Sequence, residues 1–255
     1  MSAHGWPALV TERLGGWLLQ AADGFTGRAN SVVPHGDPGL PLEDALAFVE
    51  RFYARAGLPA RIQVAVGSGM EEALRGRGWA VVTSGKEAYA TSEVQVARLD
   101  EMMARLSDIS AADSSAADVE LGRTLDESWL GLYGRTTTLE AARHVLASPE
   151  NVALARVARP PDAVTADRRP ELAGIGRGVV TGPWLGVAAV EVSPPCRRRG
   201  MARAIMARIG RWGRDLGASW VYLQVGSSNT AAKALYERLG FGVDHHYRYY
   251  SPMDG

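Results

Sequence analysis

One segment constrains this chain more than any other. Between Val190 and Ala202 an apolar run meets two prolines, a cysteine, three consecutive arginines and a glycine, and then passes into a helical pattern. Residues 185–192 read as the most apolar strand of the sequence, and residues 201–216 as a helix. The turn between them suits a pyrophosphate. Amides at a helix start converge and carry the positive end of the helix dipole. Gly200 lets an anion approach the main chain, and Ala202 keeps the first turn slim. An arginine-rich helix start on the surface is the plainer reading. Arg197, Arg198 and Arg199 oppose the dipole there, however, and three together call for a counter-anion.

A second segment lies downstream at residues 229–241. Asn229 is a good N-cap and Gly240 a good C-cap, so each has a sufficient structural explanation. Leu235 and Leu239 sit four apart as a buried stripe, and Tyr236 is one position off it. Taken alone, Tyr236 reads as an aromatic at the rim of a core.

Together the two segments resemble the GCN5-related N-acetyltransferase (GNAT) family. Its acetyl-CoA signature, basic-x-x-Gly-x-Gly/Ala, is matched by Arg197, Gly200 and Ala202, preceded by Val192 and Pro194. The family's second pattern is matched at Asn229, Ala232, Leu235, Tyr236, Gly240 and Phe241. The likeness spans residues 119–250, and the order of elements agrees: strand, two helices, three strands, helix, strand, helix, strand.

That resemblance implies an N-acetyltransferase, moving acetyl from acetyl-CoA to an amine of a small molecule or peptide. The amine would attack directly, through a tetrahedral intermediate. Acetyl-CoA is the implied co-substrate, with no metal. Val190 and Val192 would pair with pantetheine through their main chain. Arg197, Arg198, Arg199, Gly200, Met201 and Ala202 would surround the pyrophosphate, and Asn229 and Tyr236 would complete the cofactor site. Tyr236 would protonate the departing thiolate. The base is less evident. Positions 186 and 188, on the strand parity of Val190 and Val192, are Gly and Ala. Glu191 has the opposite parity and would face the site only if a bulge shifts it, and otherwise it is an ordinary solvated strand residue. Without a base, a CoA-binding regulatory module that has lost turnover is the alternative.

With 255 residues, two modest domains are expected. The expected fold is mixed α/β with a mixed sheet, as two tandem GNAT-like acyl-CoA N-acyltransferase folds. Helix, strand, short helix, Gly-Trp and strand over residues 42–82 parallel helix, strand, helix, Gly-Phe and strand over residues 202–250. Such an echo also arises by chance in α/β chains. The polar segment at residues 108–118 marks a boundary, dividing residues 1–110 from a catalytic half at 111–255. In the first half a proline- and acid-bearing loop replaces the basic turn, Gly67 stands for Asn229 and Leu74 for Tyr236. That half is expected to be degenerate and non-catalytic, buttressing the other or shaping its acceptor cleft.

The remaining candidates have plainer explanations. Ser68 and Glu71 form a capping-box pattern at a helix start, so Gly67 and Gly69 need no nucleotide. Gly174, Gly176 and Gly178 read as strand and turn, and residues 160–170 as a polar hairpin loop. Cys196 is the single cysteine, which excludes an internal disulfide and a cysteine-rich zinc site. It has no histidine nearby and reads as inert. His245 and His246 lack the company a metal site needs and fit a surface or rim position. Charge sums to zero, with 28 basic and 28 acidic residues, so no general attraction to nucleic acid or membrane follows. No secretory signal or spanning segment is evident, and the expectation is a cytoplasmic protein.

Overall fold

The computed structural model describes residues 2–83, 91–110, 118–134, 138–159 and 172–253. The polar loop expected at 160–170 and most of the expected boundary at 108–118 lie outside them.

The chain opens with one helical turn, α1 (Ser2–Gly5), and an antiparallel meander of β1 (Val10–Leu14), β2 (Trp17–Ala21) and the short β3 (Val33–Pro34). Next comes α2 (Leu42–Arg55), whose buried Ala45, Leu46, Val49, Phe52 and Tyr53 follow the expected helical spacing. The first half continues with β4 (Ile62–Ala65), α3 (Gly69–Arg75), β5 (Trp79–Val81), β6 (Ser92–Arg98) and α4 (Leu99–Ser110). No helix was expected at α4. Its buried Leu99, Met102, Met103 and Leu106 recur at i, i+3, i+4 and i+7, the spacing of one helical face.

The second half holds β7 (Val119–Gly122), α5 (Glu127–Tyr133), α6 (Leu139–Ala147), β8 (Val152–Ala158), β9 (Leu172–Thr181) and β10 (Trp184–Val192). It closes with α7 (Met201–Asp215), β11 (Trp220–Gly226), α8 (Thr230–Arg238) and β12 (Gly242–Pro252). The halves follow one plan. Each has an antiparallel meander, then a helix, then a strand parallel to the meander's last one. In the first half that parallel contact is the bridge between Val32 and Ile62, and in the second it is β10 beside β11.

Nine strands form one sheet in the order β4-β12-β6-β11-β10-β9-β8-β7, with β5 also on β12. Thus β6, from the first half, lies between β11 and β12 of the second. In return β12 runs from β6 onto β4 and β5, and its Tyr250 is fully buried in the first half's core. Helices α4, α7 and α8 contribute to a core on one face of the second-half sheet, and α5 and α6 to a core on the other.

The glycines of β9 are not at a turn. Gly174, Gly176 and Gly178 point at α7 from the middle of a continuous strand. A Cβ on Gly176 would lie 2.4 Å from Ile205, and one on Gly178 2.6 Å from Ile209. Their absence of side chains lets α7 sit close to the sheet.

Candidate active site

The site begins where two parallel strands part. β10 and β11 pair from Trp184 with Trp220 to Val187 with Leu223, and the pairing stops there. On its other edge β10 keeps its partner β9, but between Ala188 and Glu191 the register slips. Ala189, inside the slip, adopts a φ of 53°, a left-handed value unusual for a residue with a side chain. This is a bulge beside the gap. It also resets strand parity. Ala188 pairs with Arg177 and Glu191 with Ile175, two positions apart on β9, so Glu191 shares a face with Ala188. Val190 and Val192 turn instead toward the α7 core. The assumption that Val190 and Val192 share the parity of 186 and 188 is therefore corrected, because the bulge adds a residue.

After β10 the chain forms a 3-10 turn, Pro194–Cys196, and reaches α7 through the arginines. Arg198 and Gly200 both have left-handed backbones, with φ of 61° and 75°. Such turns gather amides into a concavity for an anion. Among the described residues the amides of Arg198 and Gly200 have no backbone acceptor. Arg197, Arg198 and Arg199 are exposed, and the first turn of α7 carries no acidic residue. Arg197 also donates from Nε to the Val192 carbonyl at 3.2 Å, which ties the turn to the strand. Met201 is buried in the core, so only its main chain can face a ligand, and Ala202 is half-buried. The turn fits a phosphate group.

From the other side of the gap comes α8. Asn229 caps it by accepting from the Ala232 amide at 3.2 Å, so its side chain has a structural task. Gly240 follows the helix at a φ of 87°. Lys233 anchors the helix to β6 through a 2.5 Å ion pair with Glu93, which is 2% exposed. Burial works against the Glu93 charge, but the bonds from Lys233 and Gln95 outweigh it and hold its carboxyl below the usual range. Tyr236 is buried deeper than a rim aromatic, against Phe241, with ring centres 5.7 Å apart. Burial, then the charge of Glu191, pushes its phenol up to about 12. It therefore stays protonated at neutral pH and can donate. Glu191 itself is exposed.

In the first half the corresponding places carry other residues. Glu43 and Asp44 occupy the first turn of α2, where an anion would be repelled. Leu74, in the place of Tyr236, is fully buried. At α3 the expected capping box does not form. The Ser68 hydroxyl turns to the Ala65 carbonyl, while Glu71 reaches back to the Gly67 amide at 2.8 Å. His245 and His246 are exposed, as expected of a surface pair, and Cys196 is buried.

A mixed sheet with a splayed parallel pair, a basic turn and two repeated halves is the architecture of a tandem GNAT fold. It agrees with a solved "Tandem GNAT protein from the clavulanic acid biosynthesis pathway", at a TM-score of 0.65 and 13% identity, covering all of this chain and 87% of the other. The chain belongs to the family described as "Probable histone acetyltransferase Rv0428c C-terminal", which matches residues 1–250. It is 25% identical to the "Uncharacterized N-acetyltransferase YobR" of Bacillus subtilis, over 97% of this chain and 95% of that one. It is 26% identical to the "Probable histone acetyltransferase Rv0428c" of Mycobacterium tuberculosis, over 97% and 70% respectively. The chain is thus an acyltransferase of the GNAT type. Among the described residues no group of side chains is arranged to hold a metal ion, and no helix is long and apolar enough to cross a membrane.

Proposed function

We propose that this protein transfers acetyl from acetyl-CoA to the amine of a small molecule or peptide, using the site in its second half. The observation that carries the reading is the gap between β10 and β11 beyond Val187. One wall of it holds the phosphate-shaped turn, and the other holds a protonated, buried Tyr236.

In this reading Arg198 to Ala202 hold the pyrophosphate, and the main chain of residues 190–192 lies along the pantetheine. A main-chain amide of β10 at the bulge stabilises the oxyanion that forms as the amine attacks. Glu191 takes the proton from the amine, directly or through water, and Tyr236 gives one to the thiolate that leaves. The phenol thus holds the proton that the acid of such a pair must give. Residues 1–110 form a degenerate partner to the catalytic half at 111–255, supporting its sheet through β6 without a cofactor site of their own.

Thiol release from acetyl-CoA, followed across a panel of amino acids, polyamines, aminoglycosides and peptide N-termini, tests this. Acceptor-dependent release by at least one class is expected. Release from none of them, with acetyl-CoA bound, would leave a CoA-binding module in its place.

A further inference from the structure

The face of the sheet opposite α7 carries a small cleft at the point where β10 leaves β11. Arg28, Arg177, Tyr222 and Trp6 line it, with Gly186 and Ala188 of β10 at its floor. Its enclosed part has room for about one water-sized group, and the rest of its roughly 260 Å³ is open to solvent. Its charge is unusual. Arg177 is 1% exposed, and no carboxylate accompanies it. Its Nε and Nη2 donate to the carbonyls of Leu146 and Val145, in the last turn of α6, at 2.7 and 3.0 Å. Those bonds explain how the cation is tolerated, since a helix C-terminus is the negative end of its dipole. They leave Nη1 without a partner among the described residues.

The second cation stands close by. Arg28 lies over the Trp6 ring at 3.9 Å, and Arg177 approaches the same ring at 4.8 Å. No ion pair of Arg28 occurs among the described residues. The two guanidinium groups repel one another, and after burial the Arg28 charge is the next influence lowering the Arg177 pKa, to about 9. Arg177 therefore remains charged at neutral pH. Two cations in one cleft, with no carboxylate among the described residues beside them, favour an anion between them. Tyr222 packed against Gly186 forms one wall of the cleft. A Cβ on Gly186 would lie 2.6 Å from the Tyr222 hydroxyl, so the phenol lies directly over β10.

We infer that this cleft is the acceptor subsite, and that it selects a small amine bearing a carboxylate, such as an amino acid, by pairing that carboxylate with Arg28 and Arg177. The inference rests on the acetyl transfer proposed above. The cofactor turn lies at the start of α7, on one face of the sheet, and the cleft opens on the other. A carboxylate held there leaves an amine a few bonds away at Ala188, beside the bulge. Planar guanidinium groups match a carboxylate in two parallel bonds. The enclosed part admits only a small group such as the carboxylate, and the rest of the acceptor lies in the open mouth.

Two measurements separate this inference from the catalytic one. In the first, glycine, L-alanine and L-phenylalanine are compared as acceptors with their carboxamides, at a pH where each amine is equally deprotonated. The free acids should give kcat/KM at least tenfold higher, and Arg28→Gln should remove that preference by raising KM. The second measurement needs no turnover. N-acetyl-L-phenylalanine and its amide are titrated into the CoA-bound protein by calorimetry, and the acid should bind at least tenfold more tightly, an advantage that Arg28→Gln abolishes. Equal binding of acid and amide would overturn the subsite, whatever the enzyme acetylates. Preferential binding of the acid without turnover of any amine would keep the subsite and overturn the catalytic proposal. Because Arg177 also holds α6 and its replacement risks the fold, the half-buried Arg28 is the residue to change.

Discussion

Tyr236 and Glu191 are the acid and base of the proposed reaction. The phenol is kept protonated by burial and, to a lesser degree, by the charge of Glu191, and a bulge sets that carboxylate on the face of β10 that carries Ala188. Tyr236→Phe keeps the ring packing against Phe241 and removes only the donor. Turnover should fall on the order of a hundredfold, the usual size of general acid catalysis. Acetyl-CoA affinity should change by no more than about 1 kcal/mol, since one hydroxyl is lost. Steady-state kinetics with a good acceptor, beside a binding titration, check both. Equal turnover in the two proteins would remove Tyr236 from the acid role and leave the fold assignment untouched. The position of Tyr236 was legible in the sequence because a cap at each end fixes the register of its helix. The side on which Glu191 falls was not, because a bulge is a backbone event. Ala188, Ala189 and Val190 carry no glycine to signal the left-handed residue.

At the scale of elements, α7 and β9 are made for each other. The alternating Gly174, Gly176 and Gly178 form a smooth track, and Ile205 and Ile209 of α7 fill it. Nearness of helix and strand places the start of α7 level with the end of β10, which is where the anion turn has to be. Gly176→Ala would put a methyl group 2.4 Å from the Ile205 side chain. Overpacking of this kind costs about 1–3 kcal/mol, so thermal unfolding should move down by several degrees, and a midpoint equal to the parent's would show that the track is not needed. The same glycines were misread as part of a turn. Glycine in a strand pattern signals either a bend or a close neighbour, and only the packed helix distinguishes them. By contrast α2 was legible throughout, since it combines a continuous apolar stripe with clear ends. The ends of α8 were legible too, but it buries Tyr236 in place of the expected Leu235. The short α4 stripe went unread beside the polar segment that follows it, yet Met102 and Met103 meet Gly210 of α7 and join the halves.

Over the whole molecule the repeat runs from meander through helix, strand, helix and strand, and it is one-sided in chemistry. β6 completes the sheet of the second half, and β12 completes that of the first, so the two share strands as well as an apolar interface. Sequence patterning captured the echo of helix, strand, helix and strand, but not this exchange, because pairing partners far apart in the chain leave no local mark. The second half keeps the basic turn and the tyrosine. The first offers acids at the start of α2 and a leucine in the place of the tyrosine. The central claim is that one cofactor site exists per chain and lies at the turn before α7. Calorimetric titration of acetyl-CoA into the full chain tests it most directly, run beside Gly200→Val. One molecule should bind per chain, and the variant should lose that binding while keeping its fold, because a branched side chain is strained at a φ of 75° and fills the space of the anion. Two molecules per chain, or undiminished binding by the variant, would contradict the account.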